Sequence, residues 1–136
     1  MIYNQTYDHE TNDAEIARLK RYCQFDSMLC VGAGLTDYDI MRVVACANCL
    51  SVLAETPLNA PNYVGSAFWY YTPKKSFGFS PSANIMQNMC DYSEPNDNLR
   101  LCWHTSGNDG GFRAGNVLDL NTESFYSKYA LLKSSE

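Results

Sequence analysis

The sequence predicts a mainly β protein, an antiparallel β-sandwich or jelly-roll-like domain with a short N-terminal helical arm. Three observations lead there. Apolar and polar residues alternate over short stretches such as Leu99 to His104, the period of a strand packed on one face. Clusters of Gly, Pro, Asn and Ser break these stretches about every ten residues, the spacing of an all-β domain. The composition is aromatic and weakly charged: 10 Tyr, 6 Phe and 2 Trp in 136 residues, with 18% charged side chains. That is below the usual charged share of roughly a quarter.

Residues 1–27 read as an arm and residues 28–136 as a single β-rich domain. In the arm, Ile2, Tyr3 and Tyr7 suit a short strand or extended contact. Asn12 followed by Glu15 is a capping-box pattern, and Asp13 and Glu15 favour a helix N-terminus, so a helix is expected over about 13–22. Met28 to Val31 reads as a strand, which Gly32-Ala33-Gly34 should end in a turn. Residues 39–54 form a continuous apolar run that periodicity cannot type. The valines favour a hairpin turning at Ala47-Asn48, with a helix capped by Thr36 as the alternative. Residues 57–62 should be a loop. Residues 66–72 and 77–79 should be aromatic strands around the Pro73-Lys74-Lys75-Ser76 turn. Residues 84–92 read as a strand and 93–98 as a loop. The stretch 99–113 reads as a hairpin reversing at Ser106 to Gly111, and 124–133 as the last strand.

Charge and length exclude several function classes. The formal net charge is −5 and the basic residues are scattered, so no stripe exists to neutralise phosphates. Nucleic acid is not an expected partner. No stretch approaches the roughly 18 apolar residues of a membrane-spanning helix, so membrane insertion is not expected. The first residues, MIYNQTYDHETND, have neither the basic nor the apolar region of a signal peptide. The even set Cys23, Cys30, Cys46, Cys49, Cys90 and Cys102 points instead to an oxidising, extracellular or cell-surface setting. Asn4-Gln5-Thr6 adds a glycosylation sequon. The simplest connectivity joins Cys23 to Cys30, Cys46 to Cys49 and Cys90 to Cys102.

Other chemistries fit less well. Cys46, Cys49, Cys102 and His104 could supply a zinc set, but ligands two apart in a strand are poorly spaced for it. Cys102 and His104 would be a stretched nucleophile–base pair. Asp91, Glu94, Asn96, Asp97 and Asn98 offer calcium-type oxygens without EF-hand spacing. No catalytic residue and no cofactor is expected. The best small-ligand site is the 103–113 hairpin, where Trp103, His104, Asn108, Asp109 and Arg113 combine an aromatic face with hydrogen-bonding groups, as sugars require. The expected function is a non-catalytic extracellular structural or adhesive domain. It would self-associate into a filament or surface assembly, with residues 1–11 joining neighbouring copies. The partner is then a second copy of the chain. The alternative is a lectin-like, glycan-binding module built on the hairpin.

Overall fold

A computed structural model describes residues 1–38, 41–106 and 110–133. Two antiparallel sheets pack face to face as a β-sandwich, with one short helix of two turns beside them. The first sheet contains β1 (Tyr3–Thr6), β2 (Met28–Leu35), β3 (Met41–Asn48) and β9 (Tyr126–Lys133), in the order β1-β9-β2-β3. The second contains β4 (Asn62–Val64), β5 (Ala67–Thr72), β6 (Ser76–Ser80), β7 (Leu101–His104) and β8 (Gly111–Ala114), in sequence order.

Alternation decides which side chains enter the core. Leu29, Val31 and Ala33 of β2 meet Trp69, Tyr71, Phe77, Phe79, Leu101 and Trp103 of the second sheet. The helix α1 (Asp13–Lys20) buries Ile16 and Leu19 on the same core. Asn12 caps it, its side chain accepting from the Glu15 amide at 2.9 Å, as the capping pattern implied. A smaller apolar cluster of Tyr70, Ile85, Cys90, Cys102 and Phe112 forms apart from the main core.

Several local expectations are corrected. Gly32-Ala33-Gly34 does not end β2, because β3 and β9 flank it on both sides and supply its ladder bonds. Gly32 is needed there: a Cβ would lie 2.7 Å from the Val43 carbonyl oxygen. Residues 41–54 are neither a hairpin nor one helix. Asp39 and Ile40 lie outside the described residues; β3 runs straight through Ala47, and α2 (Cys49–Val52) follows at once. Asn48 is a helix cap and not a turn residue, accepting from the Ser51 amide at 3.1 Å. Residues 84–92 form a 3-10 turn, Gln87–Met89, with Cys90 and Asp91 left-handed. Gln87 is buried there and bonded to Asn59 and Thr72, interactions no strand pattern encodes.

The short strand expected in the arm is present as β1. β1 pairs in register with β9, Tyr3 opposite Ala130 and Thr6 opposite Ser127, and Tyr7 is fully buried. Its apolar residues are seated on the chain's own sandwich.

The cysteines form three disulfides, and two differ from the nearest-neighbour pattern: Cys23–Cys49 and Cys30–Cys46, alongside the expected Cys90–Cys102. Sheet register explains the exchange. Cys30 and Cys46 are directly opposite on β2 and β3, while Cys49 opens α2 and reaches Cys23 just beyond α1. These bridges suit an oxidising environment. Peptide mapping without reductant should return these three pairs and no Cys46–Cys49 peptide. Replacing both Cys90 and Cys102 by Ser should lower stability by about 3 kcal/mol through loop entropy, measured by denaturant titration.

Candidate functional site

Of the hairpin residues read as a ligand site, Trp103, His104 and Arg113 are buried. Trp103 and Arg113 are fully buried. Trp103 Nε1 donates to the Tyr7 hydroxyl at 3.1 Å, and its ring packs 5.5 Å from Phe77 and 6.1 Å from Tyr3. Arg113 spends all five of its N–H groups on backbone carbonyls. Nε donates to Gly115, Nη1 to Asp91 and Ser93, and Nη2 to Glu94 and Asp97, all at 2.7–3.0 Å. His104 is buried edge-on to Phe112, and burial, aided by the charge of Lys128, lowers its imidazole below the ordinary range. Asn108 and Asp109 lie outside the described residues. Trp103 and Arg113 therefore present neither an aromatic face nor a free donor to a sugar. They hold the fold.

Of the acids read as calcium oxygens, Asp91 and Asp97 pair with a guanidinium, and Glu94 lends its backbone carbonyl to another. Arg100 Nη1 lies 3.0 Å from Asp91 Oδ2, and its Nε lies 3.0 Å from Asp97 Oδ2. Burial raises the Asp91 carboxyl above its usual range, while the charge of Arg100 opposes the shift. The loop over 91–97 is thus wrapped around two buried cations belonging to the chain itself. Cys46, Cys49 and Cys102 are in disulfides, which removes both the zinc set and the Cys102–His104 pair.

A third buried cation lies outside every sequence-based site. Lys128 of β9 is fully buried, 5.6 Å from the Trp103 ring centroid. Its Nζ donates to the His9 carbonyl and to Thr11 Oγ1. Thr11 bonds the Tyr3 hydroxyl at 2.6 Å, and Glu15 accepts from that hydroxyl at 3.0 Å and contacts His9 Nε2. Burial pushes the Lys128 amine down to about 7, against the pull of Glu15, Asp8 and Glu10. A signal was present in the sequence: Lys128 stands between Tyr126 and Ala130 on the apolar side of its strand.

The exposed surface offers two features at opposite ends of β2. At the Met28 end, Gln24 and Ser27 close a tight turn. The Gln24 amide donates to Ser27 Oγ at 2.9 Å, and the Ser27 amide to the Gln24 carbonyl at 3.1 Å. Phe25 sits on this turn 83% exposed, with Tyr22, Met28 and Leu50 also exposed nearby. The Cys23–Cys49 bridge and an Asn48 Nδ2 bond to the Phe25 carbonyl hold the corner rigid. At the Leu35 end, Leu35, Tyr38, Met41, Arg42, Asn98 and Tyr126 line an open cavity of about 400 Å³. Thr36 anchors this end, its amide donating to the Phe125 carbonyl and its hydroxyl to the Ser124 carbonyl, both at 2.8 Å.

Two measurements check the structural roles. Arg113→Ala should cost about 3 kcal/mol or more, since it leaves several buried carbonyls unpaired. Lys128 has a folded value near 7, below its unfolded value of 10.5, so the unfolded chain holds one more proton between them. This group therefore makes stability rise with pH across that window and contributes no slope below it. Lys128→Met should flatten the rise and raise stability at neutral pH, read by denaturant titrations at neutral and alkaline pH.

Comparison with known proteins returned no matching family model, no similar curated protein and no similar solved structure.

Proposed function

We propose that this chain is a non-catalytic structural domain that self-associates into a filament or surface assembly in an extracellular or cell-surface setting. The observation that supports the reading is the apolar corner of Tyr22, Phe25, Met28 and Leu50. Large apolar side chains held in water by a disulfide gain free energy when covered by another surface. In keeping with the non-catalytic part of this reading, the buried side chains of Arg100, Arg113 and Lys128 are all bonded within the fold.

The contacts that join copies are assigned to this corner and not to residues 1–11, whose strand and Tyr7 complete the chain's own sandwich. We keep the glycan reading as the alternative and move it to another surface. A shallow cleft of about 430 Å³ on the first sheet is lined by Asn4, Thr36, Asp37 and Ser127 beside Tyr38 and Tyr129, a mixture of hydroxyl, amide and aromatic groups suited to a sugar.

Sedimentation velocity over a concentration series is the test. The weight-average mass should climb above 15.3 kDa, the mass of one chain, as concentration rises. A chain that stays at that mass at the highest attainable concentration would refute self-association.

A further inference from the structure

The two ends of β2 are complementary to each other. β2 covers eight residues, so the Phe25 corner and the cavity are separated by roughly 23 Å of strand. One end carries a projecting aromatic ring and the other an apolar cavity. About 150 Å³ of apolar space holds a benzene ring, and the cavity of about 400 Å³ exceeds that. The charges around the two ends also differ. Arg21 and Lys133 are exposed at the projecting end; Lys133 is placed there by its pairing with Met28. The acid at that end, Asp26, is already engaged within the chain. Asp37 is exposed beside the cavity, and half-buried Glu123 immediately precedes Ser124, whose carbonyl accepts from the Thr36 hydroxyl. The base at the cavity rim, Arg42, bonded to Asn116 Oδ1 at 2.6 Å, keeps its charge, so among the described residues two acids there outnumber one base.

We propose that copies of this chain stack head to tail, with Phe25 of one copy seated in the Leu35–Tyr38–Met41–Tyr126 cavity of the next. The inference rests on the self-association reading above and names its contact. The surfaces joined are different patches, so the contact is heterologous, and each added copy presents a fresh cavity or a fresh ring. Arg21 and Lys133 then approach Asp37 and Glu123 across the joint, a rim attraction that salt weakens. The occupant is a second copy because both halves of the contact, apolar and charged, are present on one chain at opposite ends of one rigid strand.

Two variants at exposed positions test the contact in sedimentation and light-scattering experiments. Phe25→Ser removes the ring and leaves the cavity. Tyr38→Arg puts a cation on the cavity wall and leaves the ring. Each should weaken association about tenfold or more, the loss expected for a central aromatic contact. Circular dichroism and intact disulfides would show that both variants are folded. Mixed in equal amounts, the two should form a dimer and stop there, since only one productive joint is available. Wild-type assembly that persists in both variants, or a mixture that gives no dimer, would overturn the head-to-tail contact and leave self-association standing. Wild-type protein that is monomeric throughout would overturn both.

Discussion

Tyr7 is the point at which the two sheets are tied together. Its amide donates to the Tyr126 carbonyl of β9, and its carbonyl accepts from the Gly111 amide of β8, both at 2.9 Å. Its hydroxyl donates to the Arg113 carbonyl and accepts from Trp103 Nε1. One residue thus bonds to strands of both layers, and burial raises its phenol well above the ordinary range. The crossing depends on absent side chains. A Cβ on Gly110 would sit 1.3 Å from the Tyr7 carbonyl oxygen, so the N-terminal segment passes only because no Cβ is there. With Tyr7 in place, the segment that follows it supplies Thr11 and the His9 carbonyl to Lys128, and α1 closes over the core.

The legible parts of the sequence were those decided within a few residues. Asn12 announced the start of α1, and β5 and β6 follow from the aromatic stretch and its Pro-Lys turn. β7 follows from alternation, and the recurring turn signals lead to the sandwich class. What stayed hidden was set by partners distant in the chain. The exchange of Cys49 and Cys30 between bridges depends on the β2–β3 register, which no local spacing encodes. Gly32-Ala33-Gly34 resembles a turn until β3 is known to need the space. β7 and β8 pair as the expected hairpin, but that Gly110-Gly111 makes its closest approach to a residue about a hundred positions earlier could not be read locally. Trp103 and Arg113 have the residue types of a sugar site, but burial assigns them to the interior.

Three cations of this protein lie where water is scarce. Arg100, Arg113 and Lys128 are all fully or almost fully buried, and each is compensated in a different way. Arg100 has two carboxylates, Arg113 has only carbonyl dipoles, and Lys128 has a carbonyl and a hydroxyl beneath an aromatic face. The guanidiniums stay charged in such surroundings because five fixed donors can be matched by fixed acceptors. An ammonium with two partners is less well compensated, which is why Lys128 alone among the three has its ionisation brought near neutrality.

The pairing of β1 with β9 has a mechanical consequence. The two strands are antiparallel neighbours, with Tyr3 opposite Ala130, so the start of one and the end of the other leave the sheet on the same side. Tension applied between them peels the ladder one hydrogen bond at a time, the geometry of least resistance. Tension applied along β2, from the Phe25 corner to the cavity, instead runs parallel to the strands and loads many ladder bonds at once in shear. The same fold is therefore compliant to a pull on its ends and stiff to a pull along its length. The Cys23–Cys49 and Cys30–Cys46 bridges, one nested inside the other, limit how far β2 and β3 can separate under either load.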